Sequence, residues 1–293
     1  MKNPLVSVIV CTKDRAQVLK NFALKSLFKQ NYPNYEILVI DDASEDNTLQ
    51  MLNRYQNKIR VVKNKKGIGL CYVRNLGIKN AKGEIIAFID DDCIADKNWI
   101  KELVRPYKKD KKVMVVGGRI YGPGKLGNAD ETIFGGNFSF KREIFSNFSF
   151  DTNIYFNKCS YYDDTDLLYR IKNKNLKIVY TSKAIVKHFH KPAKYRKNIE
   201  FGAPMNCAYM HAKKMNLWLY YWLLLSAFIK FQKKNYQPKN NQEIIVAFRT
   251  AKGLFLSKNM TPLKFLWIFY TLLFTIPIRA KLQNAKEEDM ANL

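Results

Sequence analysis

Residues 85–94 read IIAFIDDDCI. Five apolar residues of the kind that form a strand buried on both faces run straight into three consecutive aspartates. Like charges side by side repel, and clustering them costs stability unless a cation is shared among them. The same chain carries 50 Lys and Arg against 25 Asp and Glu, a formal charge of +25. The acidic knot therefore runs against the composition, and its place at the end of a strand decides how the rest is read.

Working towards the N-terminus, the same arrangement recurs. Leu5 to Cys11 is a β-branched run that ends in TKDR, and Tyr35 to Ile40 (YEILVI) ends in DDASEDNT. Between these runs, Ala16 to Phe28, Thr48 to Tyr55 and Gly69 to Ala81 show helical spacing of apolar residues, and Ile59 to Val62 is a short strand. Apolar strands alternating with helices predict an α/β fold with a mostly parallel central sheet covered on both faces. Ligands of such sheets bind beyond the carboxyl ends of the strands, which is where TKDR, DDASED and DDDC fall. From Val113 the pattern changes to a strand (VMVVGG), a Gly-rich stretch from Gly117 to Gly136, NFSFKREIF, a helix after YYDDTD, and two short strands around Ile178 and Ile185.

Composition bounds the rest. With 293 residues, 47% hydrophobic and 14% aromatic, the chain can bury a sizeable core and is too aromatic for a disordered one. The basic excess suits nucleic acid, anionic lipid or phosphorylated ligands, or reflects Lys/Asn/Ile-rich usage alone. A nucleic-acid or lipid binder without catalysis would place Lys and Arg on one face, yet acidic clusters occupy the expected cleft and would repel a polyanion. Five scattered cysteines without a CxxC pair argue against a disulfide framework or a zinc site and for buried thiols in a reducing cytosol. The N-terminal apolar run is too short for a signal peptide, so the cytoplasmic side of a membrane is the expected location.

Aspartates without nearby His or Cys pairs suit Mg²⁺ or Mn²⁺. On a strand, Asp90 and Asp92 point to one side and Asp91 to the other, so Asp92 can hold the metal while Asp90 and Asp91 address its ligand. The bland alternative is a solvated turn. At the end of the second strand, Asp46 or Asn47 reads as a helix cap, which leaves Asp41 and Asp42 for a ligand such as a ribose or a base. Gly67-Ile68-Gly69 is too weak a signal for a phosphate loop. A nucleotidyltransferase of related fold would carry a Gly-rich basic loop after the first strand, and TKDR is no such loop.

Taken together, VSVIVCTKDR, YEILVIDDASED and CYVRNLGIKNAKGEIIAFIDDDC, followed by GGNFSFKREIF, FSFD and YYDDTDLLYRI, resemble the family 2 glycosyltransferases of GT-A fold. The resemblance covers roughly the first two hundred residues. It implies a catalytic domain over 1–200, with a nucleotide-sugar-binding part (1–115) and an acceptor-binding part (116–200). It implies transfer of a sugar, with inversion, from a nucleotide-diphosphate donor, most commonly a UDP-sugar, to a hydroxyl of a glycan or polyprenyl-linked acceptor. Thr12, Asp14, Arg15, Asp41, Asp42, Arg74, Asp90 and Asp91 would line the donor pocket. Asp92, with Asp90 and His188 (or its rival His190), would hold Mn²⁺ or Mg²⁺. Asp164, or its neighbour Asp163, would be the catalytic base, and Gly135, Gly136 and Asn137 would approach the sugars. The family more often has Gly-Glu-Asp where this chain has Tyr162-Asp163-Asp164. Plainer roles are equally concrete: Asp163, Asp164 and Asp166 stand where a helix begins and Asp caps helices, Arg74 could be solvated, and a lone His is often structural.

Beyond residue 200 the composition shifts again. Leu217 to Ile229 and Phe265 to Ile278 are almost wholly apolar yet shorter than the roughly twenty residues of a spanning helix. With Trp218, Trp222, Trp267 and flanking lysines, 201–293 reads as a helical region lying in a membrane interface, where the basic excess would meet anionic head groups. A helical subdomain packed on the catalytic core or a homo-oligomer interface are the alternatives.

Overall fold

The computed structural model describes residues 3–122, 136–154, 160, 162–189 and 206. The chain divides into two compact units. The first comprises Met1–Thr152 with Asp163–Lys194; of the second, Asn153–Tyr162 with Tyr195–Leu293, little lies within the described residues. The apolar segments after residue 200, His190 and Gly135 all lie outside them. No helix among the described residues is long and apolar enough to cross a membrane.

The first unit is built on one eight-stranded sheet of order β3-β2-β1-β4-β7-β6-β8-β5. β1 (Val6–Thr12), β2 (Tyr35–Asp41), β3 (Arg60–Lys63) and β4 (Ile85–Phe88) are mutually parallel, as the apolar runs predict. The second half departs from the expectation of a mostly parallel sheet. β7 (Phe138–Lys141) is antiparallel to both β4 and β6 (Val113–Tyr121), while β5 (Cys93–Ala95) is antiparallel to β8 (Lys177–His188). The sheet is therefore mixed. The two strands expected around Ile178 and Ile185 are a single one. β8 runs through both, parallel to β6, with a register shift opposite Gly118 and Arg119. At that irregularity a Cβ on Gly118 would collide with the Ala184 carbonyl oxygen, so only glycine fits.

Helices cover both faces. On one, α1 (Ala16–Leu19) passes through a π-helical segment (Lys20–Leu24) into α2 (Lys25–Leu27). Their Leu19, Leu24 and Leu27 pack with Val6, Val8 and Val10, and Trp99, Ile100 and Leu103 of α5 (Trp99–Lys109) join the same core. α3 (Thr48–Asn53) adds Met51 and Leu52. On the other face, α4 (Leu70–Asn80) lies close against Ile9 and Ile40, near enough that a Cβ on Gly77 would stand 2.8 Å from the Ile9 Cγ2. Each fully buried Leu or Ile contributes roughly 1.5–3 kcal/mol relative to exposure, which fixes the strands in register and their polar ends along one edge. The anticipated cap is split. Asn47 takes the N-cap position of α3 without a side-chain bond, while Asp46 Oδ1 accepts the Thr48 amide at 2.9 Å.

Candidate active site

Beyond the carboxyl ends of β1, β2 and β4 the chain gathers Thr12, Asp41 and the Asp90–Asp92 turn. The turn carries the chain from the centre of the sheet to β5 at its edge, and there the aspartates separate. Asp91 faces β1, where it accepts the Thr12 hydroxyl at 2.8 Å and pairs with Arg15 Nε at 3.0 Å. Asp92 pairs with Arg15 Nη2 at 2.8 Å and with His188 Nε2, at the end of β8, at 2.9 Å. Asp90 turns towards Arg74, whose Nη2 stands 3.6 Å away. Residues 90–92 form a turn and not a strand, so the alternation expected of a strand does not apply, and Arg15 bridges Asp91 to Asp92.

Arg74 is a buried cation on α4. Its Nη1 donates to Asp163 in an ion pair, and its guanidinium lies 5.2–5.9 Å from the ring centres of Phe88, Phe138 and Phe150. It is 3% exposed, so it is no solvated residue. Asp163 opens α6 (Asp163–Asn173), whose first turn is acidic. Asp166 is taken up by Arg170 one turn on, at 2.8 Å. Asp164 is half-buried, and its Oδ1 accepts the Thr165 amide at 2.7 Å. Just before them, Tyr162 holds φ 76°. The left-handed conformation that glycine adopts freely is thus kept here by a tyrosine, at a cost of roughly 1–2 kcal/mol.

The electrostatics follow from two guanidiniums, Arg74 and Arg15, each serving two carboxylates. Burial pushes Asp163 up to about 7 against the pull of Arg74, and the charge of Asp164 adds to the rise. Burial likewise pushes Asp91 up to about 7 against the pull of Arg15. For Asp92 burial would raise the carboxyl, but the His188 hydrogen bond and charge, with Arg15, outweigh it and hold Asp92 below its ordinary value. For His188 burial would lower the imidazole, but Asp92 and Asp90 outweigh it and hold it above its ordinary value. Asp163 binds a proton in the fold over a range, between 3.8 and about 7, in which the unfolded chain has released it. Stability therefore falls as pH rises through that window. Asp163→Asn is expected to flatten this part of the slope, read as melting temperature against pH.

Several expected ligand residues are committed to the protein itself. Asp42 accepts from Asn64 Nδ2 at 3.0 Å and from the Ile68 and Gly69 amides at 3.1 and 3.3 Å, so it pins the loop leading into α4. Asp14 accepts the Glu45 amide at 2.7 Å and ties the loop after β1 to the loop after β2. Asn137 accepts Trp99 Nε1 at 2.8 Å and donates to the Arg119 and Ala184 carbonyls, both at 2.9 Å. Its amide thus holds β6, β8 and α5 together. Asp41 is different: one oxygen accepts the Ser44 amide at 3.2 Å, while Oδ1 is buried without a hydrogen-bond partner. A buried acceptor left unpaired costs about 1–3 kcal/mol, a cost that a donor on a bound ligand would remove.

The donor set fits a divalent cation. Asp90, Asp92, Cys93 and His188 each offer one ligand atom, all within 4.8 Å of one another. Beside them Gly136 leaves room where a Cβ would stand 2.8 Å from Asp90 Oδ2. Cys93 is the member of this cluster that sequence reasoning misses, reading it as an ordinary buried thiol although it directly follows the aspartates.

Residues 7–172 match the family described as Glycosyl transferase family 2. An uncharacterized glycosyltransferase of Haemophilus influenzae is 34% identical over 117 residues, 39% of this chain and 36% of that protein. The chain thus spans only about a third of the length of that curated relative. A mannosyltransferase of Pyrobaculum calidifontis, solved with GDP-Man and Mn²⁺, superimposes with a TM-score of 0.60 over 97% of this chain and 88% of that one, at 16% identity. GalNAc-T7, solved with UDP, GalNAc and Mn²⁺, superimposes with a TM-score of 0.63 over 85% of this chain and 54% of that one, at 18% identity. At such identities the structural likeness shows the GT-A fold.

Proposed function

Because the chain belongs to glycosyl transferase family 2, we propose that it moves a sugar from a nucleoside-diphosphate donor to an acceptor hydroxyl beyond the strand ends that carry Asp41 and Asp90–Asp92. The observation that carries this reading is the convergence of Asp90, Asp92 and His188 at the end of the parallel strands. Close by, at the end of β2, Asp41 keeps a buried oxygen without a donor.

In this reading Asp41 Oδ1 accepts a hydrogen bond from the nucleoside. Asp90, Asp92 and His188 hold Mn²⁺ or Mg²⁺, which when bound neutralises charge on the departing diphosphate. Arg74 fixes Asp90 and Asp163 in place. Asp163 is spent on that ion pair and Asp166 on Arg170, so the proton of the attacking hydroxyl goes to Asp164. Attack in a single displacement would invert the anomeric centre. The two neighbours solved with nucleotide ligands hold different nucleotides, GDP-Man in one and UDP in the other, so both donor classes belong in the test. A panel of nucleotide sugars with Mn²⁺ or Mg²⁺, followed by release of nucleoside diphosphate, provides it. One donor is expected to be hydrolysed slowly, and a chelator to stop it. A protein that neither binds nor turns over any donor with either cation would overturn the proposal.

The formal charge of +25 and the apolar, Trp-bearing segments beyond residue 200 support a second part of it, an anionic acceptor or surface on the cytoplasmic face of a membrane. Co-sedimentation with anionic vesicles, weakening as salt rises, is the expected outcome. Equal retention on neutral vesicles would contradict it.

A further inference from the structure

Cys93 is the one member of the cation cluster to which the mechanism gives no task. It opens β5 directly opposite His188 of β8, so the two side chains share one face of the sheet. It is fully buried, and its Sγ lies among the carboxylate oxygens of Asp90 and Asp92 and the His188 nitrogen, all within 4.8 Å. Gly136 borders the same space, since a Cβ there would stand 2.8 Å from Asp90 Oδ2 and 3.6 Å from Cys93 Sγ. The missing side chain leaves a carboxylate and a thiol facing one small gap.

Hard cations such as Mg²⁺ take oxygen ligands and gain little from sulfur, whereas thiolate selects soft ions. One thiolate, one imidazole and two carboxylates make the mixed set that tetrahedral zinc accepts. We propose that Cys93 makes this cleft selective for thiophilic ions: Zn²⁺ closes onto Asp90, Asp92, Cys93 and His188, whereas Mn²⁺ or Mg²⁺ uses the carboxylates and His188 alone. The inference rests on the reading of Asp90, Asp92 and His188 as a cation site. As the Sγ–Zn bond forms, the thiol proton passes to solvent, and nothing is oxidised or reduced. Tetrahedral bonds of about 2.0–2.3 Å place ligand atoms roughly 3.3–3.8 Å apart, so the cluster draws in by about an ångström. Four protein ligands complete the tetrahedron and leave no position for a diphosphate. Zinc is therefore an inhibitor of this enzyme and not a cofactor.

Cobalt(II) titration of the full chain reads the proposal directly, with Mn²⁺ binding followed in parallel by electron paramagnetic resonance. Wild type is expected to show a near-ultraviolet thiolate-to-cobalt charge-transfer band and the strong visible bands of a tetrahedral ion, both erased by Zn²⁺. Cys93→Ser loses the charge-transfer band and at least about tenfold in Zn²⁺ affinity, while its Mn²⁺ affinity stays within about threefold. Should the buried serine prevent folding, Cys93→Ala replaces it and the band must vanish there, while Asp92→Asn, which keeps the thiol, must weaken Co²⁺ binding by at least about tenfold. Wild type that binds Mn²⁺ and Co²⁺ without the band, or a band that survives in Cys93→Ser, overturns the role of Cys93. Wild type that binds neither ion overturns the cation-site reading instead.

Discussion

Asp92→Asn is expected to lower turnover by about a thousandfold while leaving the fold intact. The loss is that of a carboxylate charge where a divalent cation would be held, and single groups that stabilise developing charge are worth on the order of 10²–10³ in rate. The fold survives because asparagine keeps the shape and an acceptor oxygen. Arg15 also retains Asp91, 3.0 Å from its Nε. Turnover of the best donor, cation affinity and circular dichroism should be measured together. A variant within tenfold of wild type at saturating cation would show that Asp92 is not a ligand.

The largest effect on stability belongs to Arg74→Met. Methionine fills much of the space under Phe88, Phe138 and Phe150 but leaves Asp90 and Asp163 without their shared cation. Breaking a buried ion pair on one side costs about 3–5 kcal/mol, far more than a surface pair contributes. Urea unfolding should register that loss, and adding Asp163→Asn to Arg74→Met should recover part of it. A loss below about 1 kcal/mol, or no recovery in the double variant, would mean that Arg74 acts by packing alone.

The parallel half of the sheet is legible in the sequence because YEILVI and IIAFI are apolar on both faces and end in charge, as strands buried between two layers of helices must. The antiparallel half is not. β5 has three residues and pairs with a strand more than eighty positions away, so nothing local marks it. α5 carries Trp99, Ile100, Leu103, Val104 and Tyr107 at helical spacing, but Pro106 interrupts the pattern near its end. In the site, residue type points to the right neighbourhood and not always to the right task. Asp41 and Asp42 are adjacent in sequence, yet Asn64, Ile68 and Gly69 claim Asp42, and one oxygen of Asp41 is left over. Asn137 reads as a sugar contact and is a strand fastener, since its partners Trp99 and Ala184 come from distant segments. Cys93 is silent in the sequence because a thiol among scattered cysteines carries no signal until His188 is brought opposite it.

The most direct test of a metal-bridged donor site is calorimetric titration of UDP and GDP into the protein with and without Mn²⁺. A cation-bridged diphosphate requires that one nucleotide bind with Mn²⁺ present, that binding fall by at least about tenfold when the ion is chelated, and that it vanish in Asp92→Asn. Equal binding with and without the ion, or none to either nucleotide, would contradict a cleft built to hold a nucleoside diphosphate through a metal.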